Sequence, residues 1–150
     1  MKHLALPAAL LAVSLNACAT APAFIPIENS RAIPHTKDQV WSNLVEYFAS
    51  SNISIKTIEK DSGIIYAERM FGGGSSVASM ADCGSDVMAT PISTSADLNV
   101  FVRETPTGVT TTVNARYNQS RQSAWDNSTI RVECASLGTM ERAILDAAAR

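Results

Sequence analysis

Behind Thr36 the apolar positions fall at helical spacing: Val40, Trp41, Leu44, Val45 and Phe48 form one stripe, which predicts an amphipathic helix over residues 37–50. Thr36-Lys37-Asp38-Gln39 has the form of a capping box, with Thr36 as N-cap and Gln39 three positions on. Ser50-Ser51-Asn52 ends the helix. From Ile53 the period drops to two. Ile53, Ile55 and Thr57 alternate with Ser54, Lys56 and Ile58, residues 59–63 (EKDSG) supply turn chemistry, and residues 64–70 return as the second strand of a hairpin. Residues 71–91 follow with four glycines and little periodicity. Loops of that length inside a compact domain are uncommon unless they are functional, tied down or disordered.

The second half returns to alternation. Leu98, Val100 and Val102 share a face of a strand over residues 96–104, and Thr-Pro-Thr-Gly (105–108) turns the chain. Val109, Thr111, Val113, Ala115 and Tyr117 then share a face of the next strand, over residues 109–117. The polar residues 118–127 read as a loop around Trp125, and Ile130, Val132 and Cys134 as a last strand over 129–134. Leu137-Gly138 breaks it. Thr139 is positioned to cap a final helix with Met140, Ala143, Ile144 and Ala147 turned inward and Leu145 at the edge of the stripe. The order helix, two strands, long loop, three strands, helix predicts an α+β fold: an antiparallel sheet of about five strands with an N-terminal and a C-terminal helix packed on one face. The opposite face, rich in Thr, Ser, Asn and Arg, tolerates water.

The N-terminus carries a different pattern. Met1-Lys2-His3 is a short basic segment, residues 4–15 are an apolar run, and small residues follow, which is the layout of a secretory signal peptide. That run is too short for a bilayer-spanning helix, which needs roughly 20 residues. Leu15-Asn16-Ala17-Cys18 resembles the lipobox of bacterial lipoproteins: an aliphatic residue, a tolerant position, a small residue and the cysteine. The resemblance implies cleavage before Cys18, with acyl chains carried on its sulfur and its nitrogen. Several chains, at ~0.8 kcal/mol per buried CH₂, make a stable anchor where one is marginal. Ala19 stands where the inner-membrane retention rule of enteric bacteria has Asp, so the resemblance implies the outer membrane, facing the periplasm. Without lipidation the same leader would release a soluble periplasmic protein. The expected organisation is a signal peptide over 1–17, a lipidated N-terminus and linker over 18–35 with three prolines, and a single α+β domain over 36–150. Within the linker, residues 24–33 are apolar enough to dock as an extended edge segment.

Charge narrows the partners. The 150 residues carry 12 basic and 14 acidic side chains, with no basic stripe of the kind nucleic-acid binders need. Removing residues 1–17 takes away Lys2 alone, so membrane attachment would rest on the tether and not on charge. Cys83 and Cys134, in an exported chain, are expected to pair, closing a loop of about fifty residues and stabilising by ~4 kcal/mol in the chain-entropy account. No CxxC spacing exists and His35 is the sole histidine beyond the leader, so the sequence holds no zinc signature. His35 also lacks a motif pairing it with a nucleophile. The run Phe71-Gly72-Gly73-Gly74-Ser75-Ser76 lacks the Lys-Ser/Thr ending of a phosphate-binding loop. Asp82 with Asp86, and Glu59 with Asp61, are the carboxylate pairs, and both lie in turn or loop sequence where solvent keeps them ordinary. No cofactor is expected.

The run from Thr36 to Glu68 resembles the start of the domains in BamC-type outer-membrane lipoproteins, with a Val-Trp helix, a turn at Asp-Ser-Gly and an Ile-Ile strand. Ala81-Asp82-Cys83-Gly84 resembles a loop of small proteobacterial lipoproteins. The resemblance implies a helix-grip-like sheet in an envelope assembly, although BamC-type proteins are longer and carry two such domains. The expectation is a non-enzymatic interaction or accessory module with an envelope protein partner, touched through Trp125, Phe71 and Met80. The rival is a carrier of a small apolar ligand, with a cavity lined by Trp41, Phe48 and Tyr66.

Overall fold

A computed structural model describes residues 19–72 and 77–150; the leader, Cys18 and residues 73–76 of the glycine run lie outside the described residues. The described elements run β1 (Ala19–Thr20), β2 (Ser30–Ile33), α1 (Lys37–Ser50), β3 (Ser54–Glu59), β4 (Ile64–Phe71), β5 (Ala81–Asp82), β6 (Ser85–Asp86), β7 (Ala89–Thr105), β8 (Gly108–Ser123), β9 (Thr129–Ser136) and α2 (Thr139–Ala148). The fold is α+β, and the main sheet has seven strands where about five were expected. Its order is β3-β4-β7-β8-β9-β5, with β2 pairing a second stretch of β8, and β1 and β6 form a separate two-stranded ladder. Every pairing is antiparallel.

Both helices cover one face of this sheet. Val40, Leu44 and Phe48 of α1 are fully buried against Ile65, Ala67, Leu98, Val100, Val113 and Tyr117. The cap of α1 is the one expected, with Thr36 Oγ1 accepting from the Gln39 amide at 3.3 Å. The cap of α2 is not. Gly138, in the left-handed region at φ 76°, holds the N-cap position, and Thr139 is the first helical residue, its hydroxyl donating to the Ser79 carbonyl at 2.8 Å. Besides Met140, Ile144, Leu145, Ala147 and Ala148, α2 buries Glu141, which accepts from Ser136 Oγ at 2.7 Å.

The central hairpin is longer than its apolar alternation. β7 and β8 pair from Ala89↔Ser123 to Thr105↔Gly108, so residues 118–123 are strand, and only residues 124–128 turn the chain into β9. The inward positions continue through Thr94, Gln119 and Arg121, all buried. The N-terminal segment is also part of the fold. β2 pairs Ser30–Ile33 with Thr112–Val109, and Arg31 bridges Glu28 at 2.8 Å and Asp146 of α2 at 2.6 Å. The edge strand foreseen over 24–33 therefore forms at its C-terminal part, while Phe24 and Ile25 stay exposed.

Candidate functional site

The chemistry-bearing residues gather at the end of the sheet where β7 begins and β8 finishes. β5 pairs with β9 in the register Ala81↔Ser136 and Asp82↔Ala135, which sets Cys83 beside Cys134 on the next rung. The two are joined in a disulfide, with Cα atoms 4.2 Å apart and a sequence separation of 51. Arg121, 5% exposed, reaches the same point from β8: its Nη2 donates to the carbonyls of Cys83 at 2.5 Å and Gly84 at 3.0 Å. Its Nε donates to Gln119 Oε1 at 2.6 Å, and Gln119 Nε2 donates to Thr94 Oγ1 at 3.2 Å. A guanidinium suits this position because its planar fork meets several acceptors at once, with each bond strengthened by the charge.

On this platform the N-terminal segment is fastened. Ala19 pairs with Asp86 and Thr20 with Ser85, and Thr20 Oγ1 accepts from the Ser85 amide at 3.0 Å. Asp82 clamps both sides, one carboxylate oxygen accepting from the Ala23 amide at 2.9 Å and the other from the Gly84 amide at 2.8 Å. These two amides hold its carboxyl below the usual carboxylate range. Gly84 has φ +65°, and a Cβ there would stand 2.1 Å from the Thr20 carbonyl oxygen, so the close passage of the N-terminal strand requires glycine.

Two turns project from the same end. Asp86 accepts from the Met88 amide at 2.8 Å, which leaves Val87 and Met88 at the tip, 72% and 48% exposed. The Ala124 amide donates to the Met88 carbonyl at 2.8 Å, so the tip is tied to the 124–128 turn. In that turn Asn127 takes φ 58°, Asp126 accepts from the Ser128 amide at 3.1 Å, and Trp125 is 87% exposed.

The other expected residues go elsewhere. Phe71 is core, its ring 6.4 Å from that of Tyr117 and capped by the Arg69 guanidinium at 5.1 Å, and Met80 packs partly buried against the same cluster. Of Trp125, Phe71 and Met80, the fold leaves Trp125 largely in solvent, Met80 partly buried and Phe71 in the core. Trp41 and Phe48 lie in the core, whereas Tyr66 faces outward and donates to Glu68 at 3.0 Å and Asp97 at 3.3 Å. These three do not line one cavity. Asp82 and Asp86 are each engaged by backbone amides, Asp61 lends its carbonyl to Lys37 Nζ at 2.9 Å, and Glu59 lends its carbonyl to Ser62 Oγ at 3.2 Å. His35 lies between β2 and the cap of α1, at the far end of the sheet.

Among the described residues no group of three or more His, Cys, Asp or Glu is placed to hold a metal, and no helix is long and apolar enough to cross a membrane. Sequence reading missed Arg121, Val87, Met88 and the Ala19–Ala23 clamp. One signal existed: Asp82-x-Gly84 and Asp86-x-Met88 are both carboxylate-to-amide turns. No protein-family model matches this chain, and no curated protein is significantly similar to it.

Proposed function

We propose that this chain is an outer-membrane lipoprotein facing the periplasm, a non-enzymatic module that acts by holding an interaction surface at the membrane through acyl chains on Cys18. The observation that carries the reading is the fastening of the two residues after Cys18: Ala19 and Thr20 are paired into the domain beside the disulfide platform. A lipid on Cys18 would then position the folded domain, where a long flexible linker would merely tether it. The disulfide itself fits an oxidising compartment, and the BamC-type look of residues 36–68 fits an envelope assembly.

The surface left for a protein partner is the outer sheet face. It presents Ser93, Ser95, Asp97, Asn118, Ser120 and Arg131 around an open groove of about 330 Å³ with Met70, 68% exposed, in its lining, and the exposed cross-strand pair Ile64 and Phe101 lies farther along β4 and β7. A polar face with a few apolar anchors has the composition of a non-obligate interface.

Intact mass of the protein extracted from membranes tests the anchor: the expected mass begins at Cys18 and includes its acyl chains. A free Cys18 thiol would overturn it and leave a soluble periplasmic protein. Crosslinking in whole envelopes with a photoreactive residue at Met70 tests the module, and the absence of any reproducible protein adduct would overturn that part.

A further inference from the structure

Five of the large apolar side chains that the fold leaves in solvent stand at one end of the molecule: Val87, Met88 and Trp125 at the tips, and Ile92 and Ile130 (49% and 42% exposed) close behind, where Pro91, Arg121 and Ile130 share one rung of the sheet. Single exposed apolar residues need no explanation, but a cluster at one end does. The sequence around them carries no Lys or Arg over residues 85–92 or 123–130, and its two acidic residues are occupied, Asp86 with the Met88 amide and Asp126 with the Ser128 amide.

The chain enters the domain at this same end. Ala19 is in register with Asp86. Antiparallel partners have Cα atoms ~5 Å apart, so Ala19, the first described residue, enters the domain directly beside Asp86. Ala19 is one peptide bond from Cys18, and Asp86 is one from Val87.

We propose that Val87, Met88 and Trp125 rest in the interfacial layer of the bilayer that receives the Cys18 acyl chains, so that the domain stands on the membrane on this end in one orientation. The inference rests on the lipoprotein reading above. Three properties favour lipid as the occupant. Trp sits well where one side of its ring is apolar and the other wet, and Val and Met supply the shallow apolar contact around it. With no Lys or Arg in either tip segment and exposed Arg131 turned to the outer-face groove, insertion is driven by apolar area more than by anionic headgroups. Charged Asp86 and Asp126, one residue from Val87 and Trp125 respectively, limit the depth to the headgroup boundary. Insertion this small would be weak for a free protein, but the anchor makes it an intramolecular event at high effective concentration. The platform beneath keeps the geometry fixed, because the disulfide and the Arg121 bonds to Cys83 and Gly84 lie directly behind the tips. At ~3.3 Å per residue, the 17 residues of β7 then carry the turn after Thr105 at most about 55 Å away from the lipid.

Acylated full-length protein, reconstituted into phosphatidylcholine vesicles with or without bromine on the upper acyl chain, tests the proposal through tryptophan emission. The chain has two tryptophans, and Trp41 is buried under the sheet. Wild type is expected to emit roughly twofold less in brominated vesicles, because Trp125 is quenched at the interface, whereas Trp125→Phe should emit equally in both. Val87→Asp with Met88→Asp should remove most of the quenching and leave flotation with the vesicles unchanged. Equal wild-type emission in the two vesicles, with intact mass proving the acyl chains present, would overturn this proposal and leave the anchor standing. A mass without acyl chains would overturn both. Emission that shifts with protein-to-lipid ratio but not with bromine would assign the tips to a second copy of the chain, and would equally overturn it.

Discussion

The β7–β8 ladder is closed at its two ends in contrasting ways. At the far end Thr105↔Gly108 closes a two-residue turn by backbone geometry: Gly108 takes φ +143°, and a Cβ there would stand 2.2 Å from the Ile33 carbonyl oxygen. Polar Arg103, Glu104 and Thr105 surround it, and apolar Val102 and Val109 are buried. At the disulfide end the parts come from four separate stretches, around residues 20, 83, 121 and 134, and they are held by a covalent bond, a buried guanidinium and a bidentate carboxylate. A reversal within a few residues is secured by local turn chemistry. An end assembled from distant stretches faces the full loop-closure entropy and requires stronger links.

The largest effect should come from Cys83→Ala with Cys134→Ala. Loss of the 51-residue closure should cost ~4 kcal/mol, read as a lower denaturant midpoint. Hydrogen exchange should rise first around residues 19–23 and 83–88, and equal loosening at the 105–108 turn would break the contrast. Arg121→Met should cost ~3 kcal/mol by leaving the Cys83 and Gly84 carbonyls and Gln119 without their donor. The denaturation slope should be unchanged. Gly108→Ala should cost about 1–3 kcal/mol through backbone strain, while the Ala23 and Gly84 amides keep their protection in hydrogen exchange.

Asp82 offers the finest test. Its carboxyl is held below its ordinary value, so its contribution is full above that value, ~3.9, and is lost as pH falls through the lower folded one. The Ala23 and Gly84 amides should accordingly lose exchange protection in acid below about pH 4, while β2 stays paired. Asp82→Asn should produce the same loosening at neutral pH, worth ~1 kcal/mol, and protection that is flat with pH would remove Asp82 from the clamp.

How much of this was legible in the sequence depends on where each side chain finds its partner. α1 was readable because its stripe and its cap lie within fourteen residues, and the disulfide because two cysteines remained once Cys18 was set aside for lipidation. The outer halves of β7 and β8 were not, because Thr94, Gln119 and Arg121 occupy inward positions where apolar residues would have extended the alternation. They are tolerated there because each satisfies the next, a property that no single strand carries in its own sequence. β1 has two residues and β2 four, and they are strands only by virtue of partners far along the chain. The glycine cap of α2 escaped for a similar reason: the Thr139 hydroxyl is taken by Ser79, sixty positions earlier.

Those same distances carry a consequence in time. Thr20 meets Ser85 across 65 positions, and Ser30 meets Thr112 across 82. During synthesis Thr20 and Ser30 therefore have nothing to pair with until most of the chain has followed. They are made first and fastened last. An enzyme that cuts before Cys18 or acylates it would meet an open peptide for that whole interval, and the seating of Ala19 beside Asp86 would end its access by completing the fold.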